Sequence, residues 1–332
     1  MAGGGCKKIA FYSGVGCLGL VILIALGVSG LIFMARRAGN DANQHPVPTT
    51  FTIPVPAAAP PPASSPAGPQ SPGRDLPALD ADRKGRADLE PVHVVLDLSE
   101  GNFTIQPGPP GSGVKVDGKF DPGTYSLAQE ESRDGEGRRQ LTVSFRRRVP
   151  FFLIMFGDHH PHNEINITLP ESVPTALDLH LSRCDSHVDL GGLTLTDLEA
   201  RMSMGDQDLN FSRPLAGKLA HAAFRFSMGD TKVRGLGNAL PASLELHGSM
   251  GDVRVSFDGA WPPSSRISAV ARMSMGDFRI VVPRNVRLNS HSSIAFGDSD
   301  VPRGESQPTD ETAPELELQT HASMGDLSVK HD

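Results

Sequence analysis

A four-residue tag, Ser-Met-Gly-Asp, recurs through the second half of this 332-residue chain and constrains its fold more than any other feature. Five copies are identical, and a sixth reads Ala-Phe-Gly-Asp. Successive Gly-Asp pairs lie 21 to 28 residues apart, a period typical of one coil of a β-solenoid. The predicted corner residues are Gly205, Asp206, Gly229, Asp230, Gly251, Asp252, Gly276, Asp277, Gly297, Asp298, Gly325 and Asp326.

The residues on both sides of each tag alternate between apolar and polar with the period of a β-strand. Before one tag, Leu246 has the parity of Met250, whereas Val253 after it has the opposite parity. One inserted residue would normally turn the apolar face of a strand outward, but a glycine at a bend can absorb it. Each repeat is therefore predicted to be a strand, a Gly-Asp corner and a second strand. The methionines are predicted to pack inward as a buried ladder.

Degenerate copies extend this pattern towards the start of the domain. Residues 183–185 read Arg-Cys-Asp, with Arg183 in the methionine position and Cys184 in the glycine position. Gly157-Asp158 and Gly101-Asn102 also follow alternating segments, and a hairpin turn is expected at residues 134–137. We therefore predict an all-β fold, with one β-solenoid repeat domain over residues 92–332. Its last strand, Leu327 to Val329, is expected to form an open edge. Lys330, His331 and Asp332 could blunt this edge; if they do not, end-to-end association is predicted.

The N-terminal third has a different character. After a short tail at residues 1–8, residues 9–35 are uncharged and long enough to cross a bilayer as one helix. Residues 36–91 form a Pro/Ala-rich segment expected to be a flexible linker. Because a short, doubly basic tail precedes the helix, we expect a cytoplasmic N-terminus, a single-pass membrane protein and an extracytoplasmic repeat domain.

Charge and motif content exclude some functions. The net charge of −7 and the pI near 5.9 argue against a basic nucleic-acid binder. The three cysteines are too few for a disulfide framework, and Walker A, GxSxG and HExxH motifs are absent from the sequence. We therefore expect no cofactor and no catalytic residues.

Three local clusters carry possible chemistry. His159, His160 and His162 could bind Zn²⁺ or Cu²⁺, although a polar loop between strands is the simpler interpretation. Cys184 lies between His180 and His187, but at a corner a structural role is favoured over a nucleophilic one. The basic run at residues 146–148 could face an anionic partner or simply end a strand.

The alternation, the Gly-Asp corners and the segment from Val233 to Ala239 resemble the toast-rack domain family, which is related to the putative-adhesin β-repeat domains of bacterial membrane proteins. Residues 96–105, followed by Val114 to Phe120, resemble the opening strands of that family. The resemblance spans roughly residues 92–332. This resemblance implies a domain that is tethered to a transmembrane segment and has no catalytic residues shared across the family. In some members of the family the domain acts in envelope-stress regulation.

Two functions of different classes follow. The first is a non-enzymatic, membrane-anchored bacterial envelope protein whose repetitive domain is a binding or scaffold surface in envelope sensing or adhesion. Its partners would be the bilayer, an unknown protein or glycan and possible further copies of itself. The alternative is a polysaccharide-acting enzyme on a β-helix that uses corner aspartates such as Asp252 and Asp277.

Overall fold

The computed structural model describes residues 47–53, 91–148, 163–302, 304–306 and 310–332. In these ranges the chain is rich in strands and has almost no helix, which confirms the all-β part of the predicted fold class. One short helix, α1 (Leu236–Ala239), follows Gly235. The strands are β1 (Val47–Ile53), β2 (Val92–Ser99), β3 (Asn102–Pro107), β4 (Val114–Phe120), β5 (Tyr125–Arg133), β6 (Arg139–Arg147), β7 (Glu164–Leu169), β8 (Thr175–Ser182), β9 (Asp185–Asp189), β10 (Leu195–Ser203), β11 (Gln207–Asn210), β12 (His221–Phe226), β13 (Thr231–Arg234), β14 (Ser243–Met250), β15 (Val253–Ser256), β16 (Arg266–Met275), β17 (Phe278–Val282), β18 (Arg287–Phe296), β19 (Ser299–Asp300), β20 (Gly304–Ser306), β21 (Glu315–Met324) and β22 (Leu327–His331).

The chain divides into two compact units. The larger comprises residues 48–120, 127–146 and 162–332, and it carries the repeats. In the described part of the smaller unit, the Arg148 backbone N–H donates to the Thr124 carbonyl at 2.8 Å. The Arg147 guanidinium lies 5.8 Å from the centre of the Tyr125 ring, a distance at which a cation and an aromatic face attract.

The chain forms two sheets of mostly parallel strands, and the two strands of each repeat lie in different sheets. The first, sheet A, has the order β1-β4-β7-β3-β9-β11-β13-β15-β17-β22-β19. The second, sheet B, has the order β20-β18-β21-β16-β14-β12-β10-β8-β2-β6-β5. Each repeat places one strand in sheet B, turns at the tag, and places the next strand in sheet A. We call such a pair of strands a rung.

The core is formed by the inward residues of both strands of each rung. In β16 the buried positions alternate from Ile267 to Met273, and in β17 they alternate from Phe278 to Val282. Because the strands are in register, apolar side chains of one rung lie on those of the next, as Leu246 does beside Ala271. Burial of such stacked apolar surface is the main favourable term in folding.

The order of rungs in space departs from their order in the chain at both ends of the array. The β21–β22 rung lies between the β16–β17 rung and the β18–β19 rung. The β2–β3 rung lies between β6–β7 and β8–β9. The prediction that Leu327 to Val329 forms an open edge is therefore wrong, because β22 pairs with β17 on one side and β19 on the other. The two-residue β19 lies at that end of sheet A instead.

The N-terminal predictions fall mainly outside the described residues. The tail, the proposed membrane helix at 9–35 and most of the linker at 36–91 belong to this part of the chain. Within the expected linker, Val47–Ile53 differs: it forms β1, beside β4, with Ile53 buried. A run of β-branched and aromatic residues explains why this short piece pairs as a strand. Across the described ranges, no helix has the length and apolar character to cross a membrane.

Candidate functional site

At the tag the chain leaves the core and passes from sheet B to sheet A, bending at the Gly-Asp pair. The last inward residue of β16 is Met273 and the first of β17 is Phe278, and both are 3% exposed. The step between them is five residues, so parity changes without a one-residue bulge. The tag methionine itself is outside: Met275 is 43% exposed, and the equivalent Phe296 is 72% exposed.

The predicted buried methionine ladder is therefore wrong. Strands of sheet B continue past the point where the core ends, so the tag position keeps inward parity but has no opposite sheet to contact. The exposed side chains stack from rung to rung, as the register of Met250, Met275 and Met324 shows. We call this stripe the Met ladder; it comprises Met204, Met228, Met250, Met275, Met324 and Phe296.

One sequence signal could have revealed this exposure. Arg183 occupies the methionine position in a degenerate copy, and an unpaired charge is not tolerated in a core. Glu100 occupies the same position in the β2–β3 rung, and the two side chains form a salt bridge of 2.9 Å. The Met ladder thus continues into an ion pair at this end of the array.

The tag glycines allow adjacent turns to approach closely. Gly251 has φ of 111°, in the region that side chains other than glycine rarely adopt. A Cβ on Gly251 would lie 2.2 Å from the carbonyl oxygen of Gly229, and one on Gly276 would lie 2.2 Å from that of Gly251. Stacked turns at this spacing exclude any side chain at the third tag position.

The tag aspartates form an exposed row next to the N-terminal ends of the sheet A strands. Asp326 Oδ1 accepts the backbone N–H of Asp298 at 3.1 Å, and Asp185 Oδ1 accepts that of Asp206 at 3.0 Å. A longer contact of 3.4 Å links Asp277 Oδ1 to the N–H of Asp326. Each such hydrogen bond places a positive N–H dipole between neighbouring aspartates, which offsets part of the repulsion between like charges in adjacent rungs.

A second row, not anticipated from the sequence, follows the other side of the turn. It lies on the outer face of sheet B, two positions before each tag serine or its equivalent. We call it the His/Arg row; in spatial order it comprises His180, Arg201, Arg225, His247, Arg272 and His321. The signal was available, because all five identical tags are preceded at this spacing by Arg or His.

The surroundings of Cys184 favour a structural role over a nucleophilic one. Burial raises the pKa of its thiol from 9.0 to about 11, and the nearby Asp185 charge adds to that effect. The flanking histidines have other contacts: His180 Nε2 lies 2.6 Å from an Arg201 nitrogen, and His187 Nδ1 lies 3.3 Å from Asp208. These distances place neither imidazole as a base for the thiol.

The predicted metal ligands His159, His160 and His162 lie outside the described residues. Among the residues that the structure does describe, no group of three or more His, Cys, Asp or Glu side chains is arranged to hold a metal ion.

Residues 75–222 match the family model for the N-terminal domain of toast_rack, DUF2154. The predicted toast-rack resemblance is confirmed. The matched toast-rack region spans the rungs from β2–β3 to β10–β11, including the Glu100–Arg183 pair. No curated protein matches the chain.

Solved structures with low sequence identity also align with the chain. A "putative cell adhesion protein" from Clostridium sporogenes is 10% identical with a TM-score of 0.41, covering 87% of this chain and 100% of that one. A "putative adhesin" from Bacteroides fragilis is 11% identical with a TM-score of 0.30, covering 72% and 91%. A "putative lipid binding protein" from Parabacteroides distasonis is 10% identical with a TM-score of 0.32, covering 88% and 98%.

Proposed function

We propose that this chain is a non-enzymatic, membrane-anchored envelope protein whose toast-rack domain binds a partner through its repetitive surface. The observation that carries this proposal is the Met ladder. Six large apolar side chains in one exposed stripe cost solvation free energy and contribute little to the core. Contiguous apolar surface of this kind is typical of interaction sites.

The surroundings of the Met ladder support a protein-like contact surface. Apolar residues form its centre, and polar tag serines and charged aspartates flank it, which is the arrangement common in protein interfaces. Methionine is also adaptable in shape, so a row of methionines suits a partner surface that is not perfectly complementary. The carboxylates of the tag are spread along the array, one per rung, which favours a surface over a single catalytic cleft.

Site-specific photo-cross-linking in native membranes tests the binding surface. A photoreactive side chain would replace Met228, Met250, Met275 or Met324 in turn, with Arg279 on the outer face of sheet A as the matched control position. We expect the same cross-linked species from all four ladder positions and none from the control. Equal cross-linking from the control, or a different product at each ladder position, would contradict a single partner along the stripe.

The membrane anchor is tested separately. The full chain should remain in the membrane fraction after alkaline carbonate extraction, because residues 9–35 would span the hydrocarbon core. A variant lacking residues 9–35 should move to the soluble fraction while its repeat domain keeps the same thermal unfolding transition. Retention of that variant in the membrane would place the attachment elsewhere in the chain.

A further inference from the structure

The His/Arg row has an unusual charge arrangement for a sheet surface. Arg201 and Arg225 lie directly opposite each other in adjacent parallel strands, and like charges in that relation are destabilising. Both contact one carboxylate, Glu199, at 2.7 Å in the case of Arg201. The row therefore carries more arginine charge at this point than its acidic neighbour neutralises.

The third arginine of the row, Arg272, adds to this excess. Among the described residues, no carboxylate lies within ion-pair distance of its guanidinium. Its Nη1 instead lies 3.4 Å from His247 Nε2. On its other side, the register places Arg272 opposite His321. Arginine and histidine side chains thus follow one another over successive rungs about 4.8 Å apart.

The first histidine of the row, His180, contacts an arginine of the row. Arg201 Nη1 donates to His180 Nε2 at 2.6 Å, because a guanidinium has no acceptor atom. Opposite His180 on β2 is Asp97, which is paired with Arg146.

The other two histidines have equally few acidic neighbours. His247 faces Arg225 and Arg272 on the adjacent strands, and its acidic neighbour is Glu245 at 3.6 Å on its own strand. His321 faces Arg272 on one side, and on the other its Nδ1 lies 2.7 Å from Ser293 Oγ. The acidic side chains beside the row are thus fewer than its arginines and histidines.

A shallow groove runs along the row. It has a volume of about 470 Å³ and is lined by the His180, Arg201, Arg225 and His247 side chains together with the serines of successive tags. Each rung at the groove therefore offers an arginine or histidine side chain and, beside it, a hydroxyl group that can donate or accept a hydrogen bond. A partner that alternates anionic groups with hydroxyl groups along one axis would match this pattern.

We propose that the His/Arg row binds a linear acidic glycan, with its carboxylates on successive rungs and its hydroxyl groups on the tag serines. Arginine suits this role because its planar guanidinium can bind a carboxylate in a bidentate manner. The row lies on the outer face of sheet B and not on the Met ladder. The proposal rests on the proposed binding role of the repeat domain, but it is independent of the membrane anchor and of the partner at the Met ladder.

The test measures binding of polygalacturonate oligomers to the full chain in detergent, with neutral dextran, polyphosphate and single-stranded DNA as comparison ligands. The test variant is R225Q/R272Q. The matched control is R254Q/R279Q, which removes the same charge from exposed, paired positions on the outer face of sheet A. We expect roughly tenfold weaker polygalacturonate binding in the test variant and little change in the control, since two exposed charge contacts are worth about 1.4 kcal/mol together.

Three results would overturn the proposal. These are the absence of saturable polygalacturonate binding, equal weakening in the control variant, and tighter binding of polyphosphate or DNA than of the glycan. Thermal unfolding of both variants checks that the fold is intact.

Discussion

At the scale of single residues, the fold separates two methionines that the sequence pattern treats alike. Met273 and Met275 share strand parity, but Met273 is the last residue enclosed by both sheets and Met275 lies past the edge of the core. The distinction depends on where the opposite sheet ends. Periodicity along one strand carries no information about that limit.

This difference predicts unequal costs for the same substitution. Met273→Ala should lower the free energy of unfolding by roughly 2–5 kcal/mol, because it leaves a cavity in the core. Met275→Ala should change it by less than about 0.5 kcal/mol, as is usual for exposed positions. Chemical denaturation of the two variants measures both values. Equal destabilisation would mean that the Met ladder is part of the core.

The Cys184 thiol provides a second residue-scale prediction. Because its pKa is raised from 9.0 to about 11, the folded state holds a proton that the unfolded state releases above pH 9. Stability should therefore fall as the pH rises above 9, and a Cys184→Ala variant should show less of that fall. Mass spectrometry of the Cys184 peptide should also show little alkylation by iodoacetamide at neutral pH until denaturant is added. Rapid alkylation of the native chain would contradict this protected environment.

At the scale of the element, the repeating unit is a strand of sheet B, a turn at the Gly-Asp pair of the tag and a strand of sheet A. Its geometry depends on glycine at the third tag position, where the carbonyl of the previous rung occupies the space of a side chain. Cys184 shows that a side chain is tolerated where the turn differs: there the positive φ is at Arg183, one residue earlier. A degenerate copy can therefore form the same pair of strands with a different turn between them.

Gly251→Ala tests the dependence on close approach. The Cβ would meet the Gly229 carbonyl at 2.2 Å in a strained backbone region, so we expect a loss of roughly 2–4 kcal/mol in unfolding free energy. The control is Gly135→Ala, in the β5–β6 hairpin, where a Cβ would meet nothing within 4 Å. Differential scanning calorimetry should show a large fall in Tm for the first variant and almost none for the second. A similar Tm in both would remove the steric argument.

Much of this element could be predicted from the sequence, because alternation and the tag spacing are local properties. The parity change and the sequence from strand to turn to strand follow from Leu246, Gly251 and Val253 alone. The exposure of the tag methionine could not be derived in this way, although the charged Arg183 in the same position indicates an exposed site. The sequence shows Arg or His at the same spacing before the identical tags. Only the register of neighbouring strands shows that these side chains form one continuous row.

At the scale of the whole repeat array, order in the chain and order in space separate at both ends. No local pattern indicates that β21–β22 enters between two earlier rungs, because insertion depends on long-range pairing. Bringing together strands that are distant in the chain costs conformational entropy before the new contacts can stabilise the pairing. The sequence therefore predicts the rungs well and their final arrangement poorly.

Removal of residues 315–332 tests the role of the inserted rung. Both β16 and β18 pair with β21 along nearly its whole length, so its loss leaves two strands without a partner on that side. We expect hydrogen exchange to accelerate in β16 and even more in β18, whereas β10 and β12 keep their protection. Unchanged protection in β18 would show that it can close directly onto β16 without the inserted rung.

The placement of β2–β3 and β21–β22 also sets where the array can change in length. From β8 to β17 each rung is beside its predecessor in the chain, so a gene duplication or deletion of one repeat there would lengthen or shorten the stack while preserving every remaining connection. A copy added beyond β22 would instead need to bypass β18–β19, which already occupies the next place. A repeat inserted or deleted among the central rungs therefore disturbs fewer strand pairings than one added after β22, and variants of different length should differ in the number of central rungs.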